Sequence, residues 1–354
     1  MTPLFARACA AAVLALAAAT AAPAQTSQSG QSGQTGQTGR SEPVRVTIDN
    51  FVRAQSDANM AGYVEKGAFG RFLHQRDMVD AEDQIVIRSN VDTLYSFMIA
   101  DLTTPLTIEL PDPGDRFQSL ECLSQDHSIQ PTVYGPGFFT FTQDLIGTRY
   151  AFCNVRTFAD PNSPADLKAA HALQDKIGVE QPNPGSYAVP NWDPKSLAAL
   201  RENLQAIAQT RPDTRGYFGL KSRINPLYWT LGAAAGWGGN PDDAAVYSVG
   251  VVAQNDGKTP YVLHVPKDVP VEAFWSVTLY DAKGFLPKTR SGINSWNSVT
   301  AKPNEDGSVT ISFGGDGPNR LEIVEGWNYL VRMYRPKPEL VAGHWRFPQA
   351  VPAH

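Results

Sequence analysis

A few short clusters of acids, amides, arginines and histidines hold most of the reactive chemistry in this sequence. Ser124-Gln125-Asp126-His127 sets a carboxylate beside an imidazole, and His74-Gln75-Arg76-Asp77 supplies a second imidazole. Imidazole titrates near neutrality, so His127 or His74 could serve as a general base or metal ligand, with Asp126 as the acid of the pair. Each could equally be a solvated or hydrogen-bonded structural side chain. Asn90, Asp92 and Tyr95, within Asn90-Val91-Asp92-Thr93-Leu94-Tyr95-Ser96, could orient a substrate, or Asn90 and Asp92 could bond only their own turn. Arg53, Arg76 and Arg88 could converge on an anionic group, because guanidinium forks suit carboxylates and phosphates. They could also neutralise Asp57, Asp92 and Asp126 inside a structural network. Trp275 and Tyr280 are either ligand-stacking surfaces or core aromatics. His171 and His264 read as structural. No spacing signature supports a metal site, none is assigned, and no motif names a cofactor. The G-x-S-x-G elbow, H-E-x-x-H, P-loop and C-x-x-C patterns are all missing, which argues against a common serine hydrolase.

These residues need elements to hold them. The stretch from Ile87 to Leu102 opens on a polar knot (Arg88, Ser89, Asn90, Asp92, Thr93) and runs into an apolar strand. Leu94, Ser96, Met98 and Ala100 share one face of it; Tyr95, Phe97, Ile99 and Asp101 share the other. A strand apolar on both faces expects cover on both, and polar groups at its mouth must then pair or meet a ligand. Arg116–Ser128 reads as another strand, with Leu120, Cys122, Ser124 and Asp126 on one face, which points Asp126 inward and His127 the other way. Leu106–Leu110, Phe138–Thr142 and Gly147–Phe158 continue the sheet. A strand at Val44–Ile48 precedes a helical stretch from Phe51 to about Phe72, with Asp49 or Asn50 as its cap.

Helical spacing then takes over. Ser163 caps a helix with Pro164 at its first position and an apolar face of Ala169, Ala170, Leu173 and Ile177. Asp193-Pro194 opens another with Leu197, Leu200, Leu204 and Ile207, and a third spans Tyr228–Ala235 before Gly236-Trp237-Gly238-Gly239. Asn240-Pro241-Asp242-Asp243 reads as one more helix start. Beyond Tyr247 the helical period disappears. Tyr261–Val265, Ala273–Asp281, Ser308–Phe313 and Tyr329–Tyr334 are strands separated by turns, the pattern of an antiparallel jelly-roll-like sandwich. The fold class expected is α+β, mainly β: an N-terminal β-rich domain with a helical connector (43–239) and a C-terminal sandwich (240–354).

Composition sets the address. Met1–Ala24 carries one early cation, an Ala/Leu/Val run and Ala22-Pro23-Ala24, the pattern of a secretory signal cleaved after Ala24. Gln25–Glu42 is a Gln/Ser/Thr/Gly tether with nothing to bury. The protein is therefore expected in the periplasm or secreted. No run reaches membrane-spanning length, and a net charge of −5 without a basic stripe gives no support for nucleic-acid binding. Removing the signal leaves Cys122 and Cys153, which an oxidising compartment could join, although a buried free thiol is the commoner state in apolar strands. A homo-oligomer stays open.

The chain resembles a two-domain bacterial family of unknown function, whose domains are numbered twelve fifty-four and twelve fourteen. The resemblance rests on Asn50-Phe51-Val52-Arg53-Ala54, His74-Gln75-Arg76-Asp77, Asn90–Ser96, Ser124–His127, Gly147-Thr148-Arg149-Tyr150, Val155-Arg156-Thr157-Phe158, Ala172-Leu173-Gln174-Asp175 and Gly236-Trp237-Gly238-Gly239-Asn240. In the C-terminal half it rests on Phe274–Asp281, Asp306-Gly307-Ser308 and Trp327-Asn328-Tyr329. It implies an exported β-rich protein with a jelly-roll-like C-terminal half, and no reaction transfers with it. Linkers at Tyr134–Gly147 and Gly314–Gly326 are compact beside those of longer members. Two functions draw on these residues, and a third, a structural or assembly subunit, would use only the sandwich edges and the tether. One is a hydrolase-like acid–base enzyme acting on a small organic molecule between the halves, with Asp126, His127 or His74 in the chemistry. The other is a non-catalytic protein holding a small ligand or glycan.

Overall fold

The computed structural model describes residues 42–79, 81, 82, 84, 88–211 and 213–353. The expected signal, the tether up to residue 41 and Ile87 at the start of the central stretch lie outside the described residues. Chain order lays down α1 (Phe51–Glu65), β1 (Leu73–His74), β2 (Thr93–Asp101), β3 (Leu106–Leu110), β4 (Gln118–Ser124), β5 (Val133–Tyr134), β6 (Gly137–Phe141), α2 (Gln143–Ile146) and β7 (Tyr150–Phe158). There follow α3 (Pro164–Gln174), β8 (Gly178–Glu180), α4 (Pro194–Ala208) and α5 (Pro226–Ala235).

β2 joins a five-stranded sheet ordered β1-β2-β7-β4-β5, and its two faces meet two different cores. Met98 and Ala100 face a core shared with Leu106 and Ile108 of the three-stranded sheet β6-β3-β8. Ile99, with Phe97 beside it, faces Phe51 and Met60 of α1, Leu197 and Leu204 of α4 and Leu231 of α5. Leu94, Met98, Ile99 and Ala100 are all at most 1% exposed, the burial that a doubly apolar strand requires. The helix signals act as read: Ser163 Oγ accepts from Asp166 N, and Asp193 accepts from the amides of Lys195 and Ser196.

The C-terminal half contributes β9 (Ala245–Gly250), β10 (Tyr261–Val265), β11 (Trp275–Tyr280), β12 (Ser295–Asn297), β13 (Val309–Phe313), β14 (Arg320–Leu321), β15 (Asn328–Tyr334), α6 (Pro338–Val341) and β16 (Val351–Pro352). They form two four-stranded sheets, β14-β13-β10-β16 and β12-β11-β15-β9, around a core of Leu263, Val277, Ile311, Phe313, Trp327 and Val331. The protein is thus α+β and mainly β. Among the described residues no sheet mixes strands from before and after Gly239, although contacts gather Glu42–His354 into one compact unit.

Some local expectations give way to tertiary pairing. Val44–Ile48 is reduced to a single bridge between Val44 and Trp192. Asn50 occupies the N-cap position of α1, but its Oδ1 accepts from Thr47 N rather than from a helix amide. Asn240-Pro241 opens a turn, not a helix: Ala244 N and Ala245 N both donate to Pro241 O, and the chain then pairs Ala245 and Val246 with Tyr334 and Met333.

The cysteines are joined. Cys122 on β4 lies directly opposite Cys153 on β7, with Cα atoms 4.2 Å apart, so the pairing register converts two buried thiols into a cross-strand disulfide. The link spans 31 residues, and removing it with Cys122→Ala/Cys153→Ala should lower unfolding stability by about 3–4 kcal/mol. Denaturant titration with and without reductant checks this: reductant should bring the wild type down to the variant and leave the variant unchanged.

A buried polar layer and an open cleft

The face of the large sheet beneath the helices changes character along its strands. Directly opposed residues share a face, so register alone gives its rows. Leu123, Phe152 and Ile99 form an apolar row under the helices; Glu121, Asn154 and Phe97 come next; Ser119, Arg156 and Tyr95 follow. Glu121 pairs diagonally with Arg156 of the next row as a buried ion pair at 3.4 Å, with side chains 0% and 4% exposed. Burial pushes the Glu121 carboxyl above its usual range, and Arg156 works against that rise. Burial also opposes the charge on Arg156, but Glu121 and neighbouring tyrosines keep that charge in place. Arg156 Nη2 further donates to Gly238 O at 3.1 Å.

Gly238, in a left-handed conformation (φ 74°), belongs to the turn that closes this layer. Its N–H donates to His127 Nε2 at 3.0 Å, Trp237 Nε1 donates to Ser56 Oγ at 2.8 Å, and Asn240 Nδ2 donates to Tyr247 OH at 2.8 Å. The glycine-rich stretch is therefore a connector between sheet, α1 and the C-terminal half.

The polar knot before β2 seats in the C-terminal sheet. Asp92, with 0% exposure, accepts from Ser276 Oγ at 2.6 Å, Tyr334 OH at 3.3 Å and Ser295 Oγ at 3.4 Å. Burial raises its pKa, and Arg332 and these hydroxyls oppose the rise. Arg332 donates to Arg88 O at 2.8 Å, Ser89 O at 3.2 Å, Tyr280 OH at 2.7 Å and Thr278 Oγ1 at 3.0 Å. Tyr280 OH donates to Ser89 O at 2.7 Å. Asn90 behaves as a turn residue: its Oδ1 accepts from Asp92 N, and its amide donates to Thr93 Oγ1 and Tyr95 OH.

The candidates for chemistry are not gathered in one place. β4 ends at Ser124, and Gln125-Asp126 form a turn closed by His127 N donating to Ser124 O, with His127 at φ 54°. The strand alternation that would have pointed Asp126 inward is broken there. Asp126, its side chain 34% exposed, pairs with Arg53 at 2.6 Å and Lys221 at 3.9 Å. His127 turns inward instead, 1% exposed and stacked on Trp237. Burial depresses its pKa to about 3, so the ring stays neutral with its proton on Nδ1, because Nε2 accepts from Gly238. His74 sits on β1, its Nδ1 2.8 Å from Ser96 Oγ, and β2 and β7 separate that strand from β4. At the usual strand spacing that is roughly 14 Å.

Nor do the arginines converge. Arg53 holds Asp126; Arg76 pairs with Asp175 and donates to His171 O at 3.0 Å; Arg88 donates to Asn328 Oδ1 at 2.5 Å and lies over Tyr280. Trp275 is core, packed edge-on to Phe347. The residues that define the layer, Glu121, Arg156 and Arg332, were not singled out. A usable signal existed: each is a charge inside a strand with apolar neighbours, as in Leu120-Glu121-Cys122-Leu123 and Val331-Arg332-Met333.

Open space lies beside the layer. A cleft of about 660 Å³ is walled by Arg116, Phe117, Gln118, Tyr134, Phe158 and Asp166 from one half and by Glu272, Phe274, Val299 and Arg335 from the other. Arg116 forks onto Asp166 at 2.5 and 2.9 Å, which holds that carboxyl below its usual range. Arg335 pairs with Glu272 at 2.6 Å and lies 4.7 Å over the Tyr134 ring. A second cavity of about 410 Å³ includes Val91, Leu286 and Ser295. Among the described residues no group of three or more His, Cys, Asp and Glu could hold a metal ion, and no helix is long and apolar enough to cross a membrane.

Residues 69–181 match Protein of unknown function (DUF1254), and residues 250–338 match Protein of unknown function (DUF1214). The chain belongs to the family that carries these two domains in this order. The first domain supplies Asp92, Glu121 and Arg156, and the second supplies Ser276, Arg332 and Tyr334, so the layer forms where the two family domains meet. Among curated proteins none matches. The fold is similar to that of the VPA0106 protein from Vibrio parahaemolyticus, at TM-score 0.68 and 18% identity over 87% of this chain and 98% of that one. It is also similar to an uncharacterized protein from Burkholderia cenocepacia, at TM-score 0.51 and 15% identity over 86% and 87% of the two chains.

Charge removal separates the two acidic positions. Asp126→Asn should lower stability by less than about 1 kcal/mol, because its pairs are solvent-screened. Asp92→Asn replaces an acceptor of the Ser276, Ser295 and Tyr334 hydroxyls by an NH2 donor in a fully buried site and should lower stability by about 1–3 kcal/mol. Side-by-side urea unfolding at neutral pH reads both values. His127 adds a pH dependence. Its folded pKa lies below its unfolded value, so the unfolded chain binds the extra proton and the stabilisation, complete above about pH 6.5, is lost as pH falls toward 3. Between pH 6 and 4, unfolding free energy should decline more steeply in the wild type than in His127→Gln, by about 1.4 kcal/mol per pH unit.

Proposed function

We propose that this is a binding protein of the cell envelope that holds a small organic molecule, without turning it over, in the cleft between the two family domains. The observation that carries this reading is the cleft itself: about 660 Å³, built from both domains, with aromatic walls and arginines fixed by their own carboxylate partners. That size and mixture of apolar surface with a few oriented polar groups suit a small ligand. An acid–base reading built on Asp126, His127 and His74 draws no support from their placement. Asp126 is ion-paired at the surface, His127 is sealed and held neutral, and His74 lies across the sheet. Export is supported by the signal-like start of the chain and by the cross-strand disulfide, since such links persist in oxidising compartments.

A panel of small metabolites, screened by thermal shift and recovered for mass spectrometry, tests the reading. At least one compound should raise the melting temperature saturably, by a stabilisation of about 2.7 kcal/mol at one hundred times its Kd, and return chemically unchanged. Arg335→Ala should leave the protein folded and weaken that compound at least about tenfold. Recovery of a product in place of the compound, or full affinity in the variant, would overturn the proposal.

A further inference from the structure

The hydrogen-bond inventory behind the cleft specifies what kind of molecule it takes. Gln118 Oε1, Ser119 Oγ, Glu121 Oε1 and Asn154 Oδ1 are all buried and have no partner. Their residues are between 1% and 3% exposed. Buried polar atoms are nearly always paired, and an orphan carries the full desolvation penalty, so Ser119, Glu121 and Asn154, which share one face of β4 and β7, call for a partner, while Gln118 alternates to the other face. Ser119 is the register partner of Tyr134, which lines the cleft. Glu121 and Asn154 oppose each other directly on β4 and β7, two residues further along the same face as Ser119 and Arg156. With the Asn154 amide oriented as it is, neither its Oδ1 nor Glu121 Oε1 receives a proton. The group they lack is a donor.

The charges on the cleft narrow the choice. Arg116 is held by Asp166 and Arg335 by Glu272, so an anionic ligand would have to displace a carboxylate already in place. A cation at Glu121 Oε1 would sit beside Arg156, which already occupies Oε2. Neutral hydroxyl groups meet neither obstacle, and each supplies the proton that the orphan acceptors need. Aromatic walls at Phe117 and Phe274 suit the C–H faces of a sugar ring.

Building on the binding reading above, we infer that the cleft takes a neutral polyhydroxylated molecule, a sugar. Its hydroxyls reach the acceptors of β4 and β7 when the Tyr134 side chain on the two-residue strand β5 moves aside.

Isothermal titration of the folded protein with three matched sets decides it: neutral mono- and disaccharides, the corresponding aldonates, and the corresponding amino sugars. At least one neutral sugar should bind, with its aldonate and amino counterparts at least tenfold weaker. Asn154→Leu keeps the volume and removes an orphan acceptor, so it should melt no lower than the wild type yet bind that sugar at least tenfold more weakly. Ser119→Ala, a smaller change, should weaken it in the same direction. If a charged or apolar compound binds in the cleft and no neutral sugar does, the ligand class is wrong while the binding reading stands. If nothing binds, both fall. If neutral sugars bind equally to wild type, Asn154→Leu and Ser119→Ala, the buried acceptors serve only internal water and the inference is overturned.

Discussion

The seating of Asp92 against the C-terminal sheet is the constraint on which the rest of the molecule turns. A fully buried carboxylate must find donors, and every donor side chain it has comes from the other half of the chain: Ser276, Ser295 and Tyr334, with Arg332 alongside. β2 begins one residue later. The contact that locks the two halves together therefore also sets where the central strand starts and which of its faces meets which core. Arg332, bonded to the backbone oxygens of Arg88 and Ser89, reinforces the same junction from the opposite side.

From that junction the large sheet grades from charged to apolar along each strand. Helices cover the apolar end, where Ile99, Phe152 and Leu123 need hydrocarbon contacts, and the C-terminal half covers the end holding Tyr95 and Arg156. The Gly236–Asn240 turn bridges the two regimes, with hydrogen bonds reaching His127, Arg156, Ser56 and Tyr247. His127 is part of this joinery. Its ring fills a slot against Trp237 and Phe218 and accepts one amide proton, and that role requires the neutral form.

The cleft lies at the rim of the same junction. Phe117, Phe158, Phe274 and Tyr334 pack as one aromatic group across the two domains, so the cleft wall and the domain contact are continuous.

Periodicity and punctuation settle those features that depend only on near neighbours along the chain. The doubly apolar strand after Asn90, the Ser163 and Asp193 caps, the switch to strands beyond Tyr247 and the order of the two family domains are all legible in the sequence, because capping and alternation act over a few residues. Register and long-range pairing are not. The disulfide depends on Cys122 and Cys153 falling opposite each other, and the inward turn of His127 depends on β4 stopping at Ser124. The pairing of Asp92 with Ser276 bridges 184 positions. One residue of slip in a strand exchanges its inner and outer faces, so only the assembled sheets could decide that Asp126 lies outside and Glu121, Arg156 and Arg332 lie within.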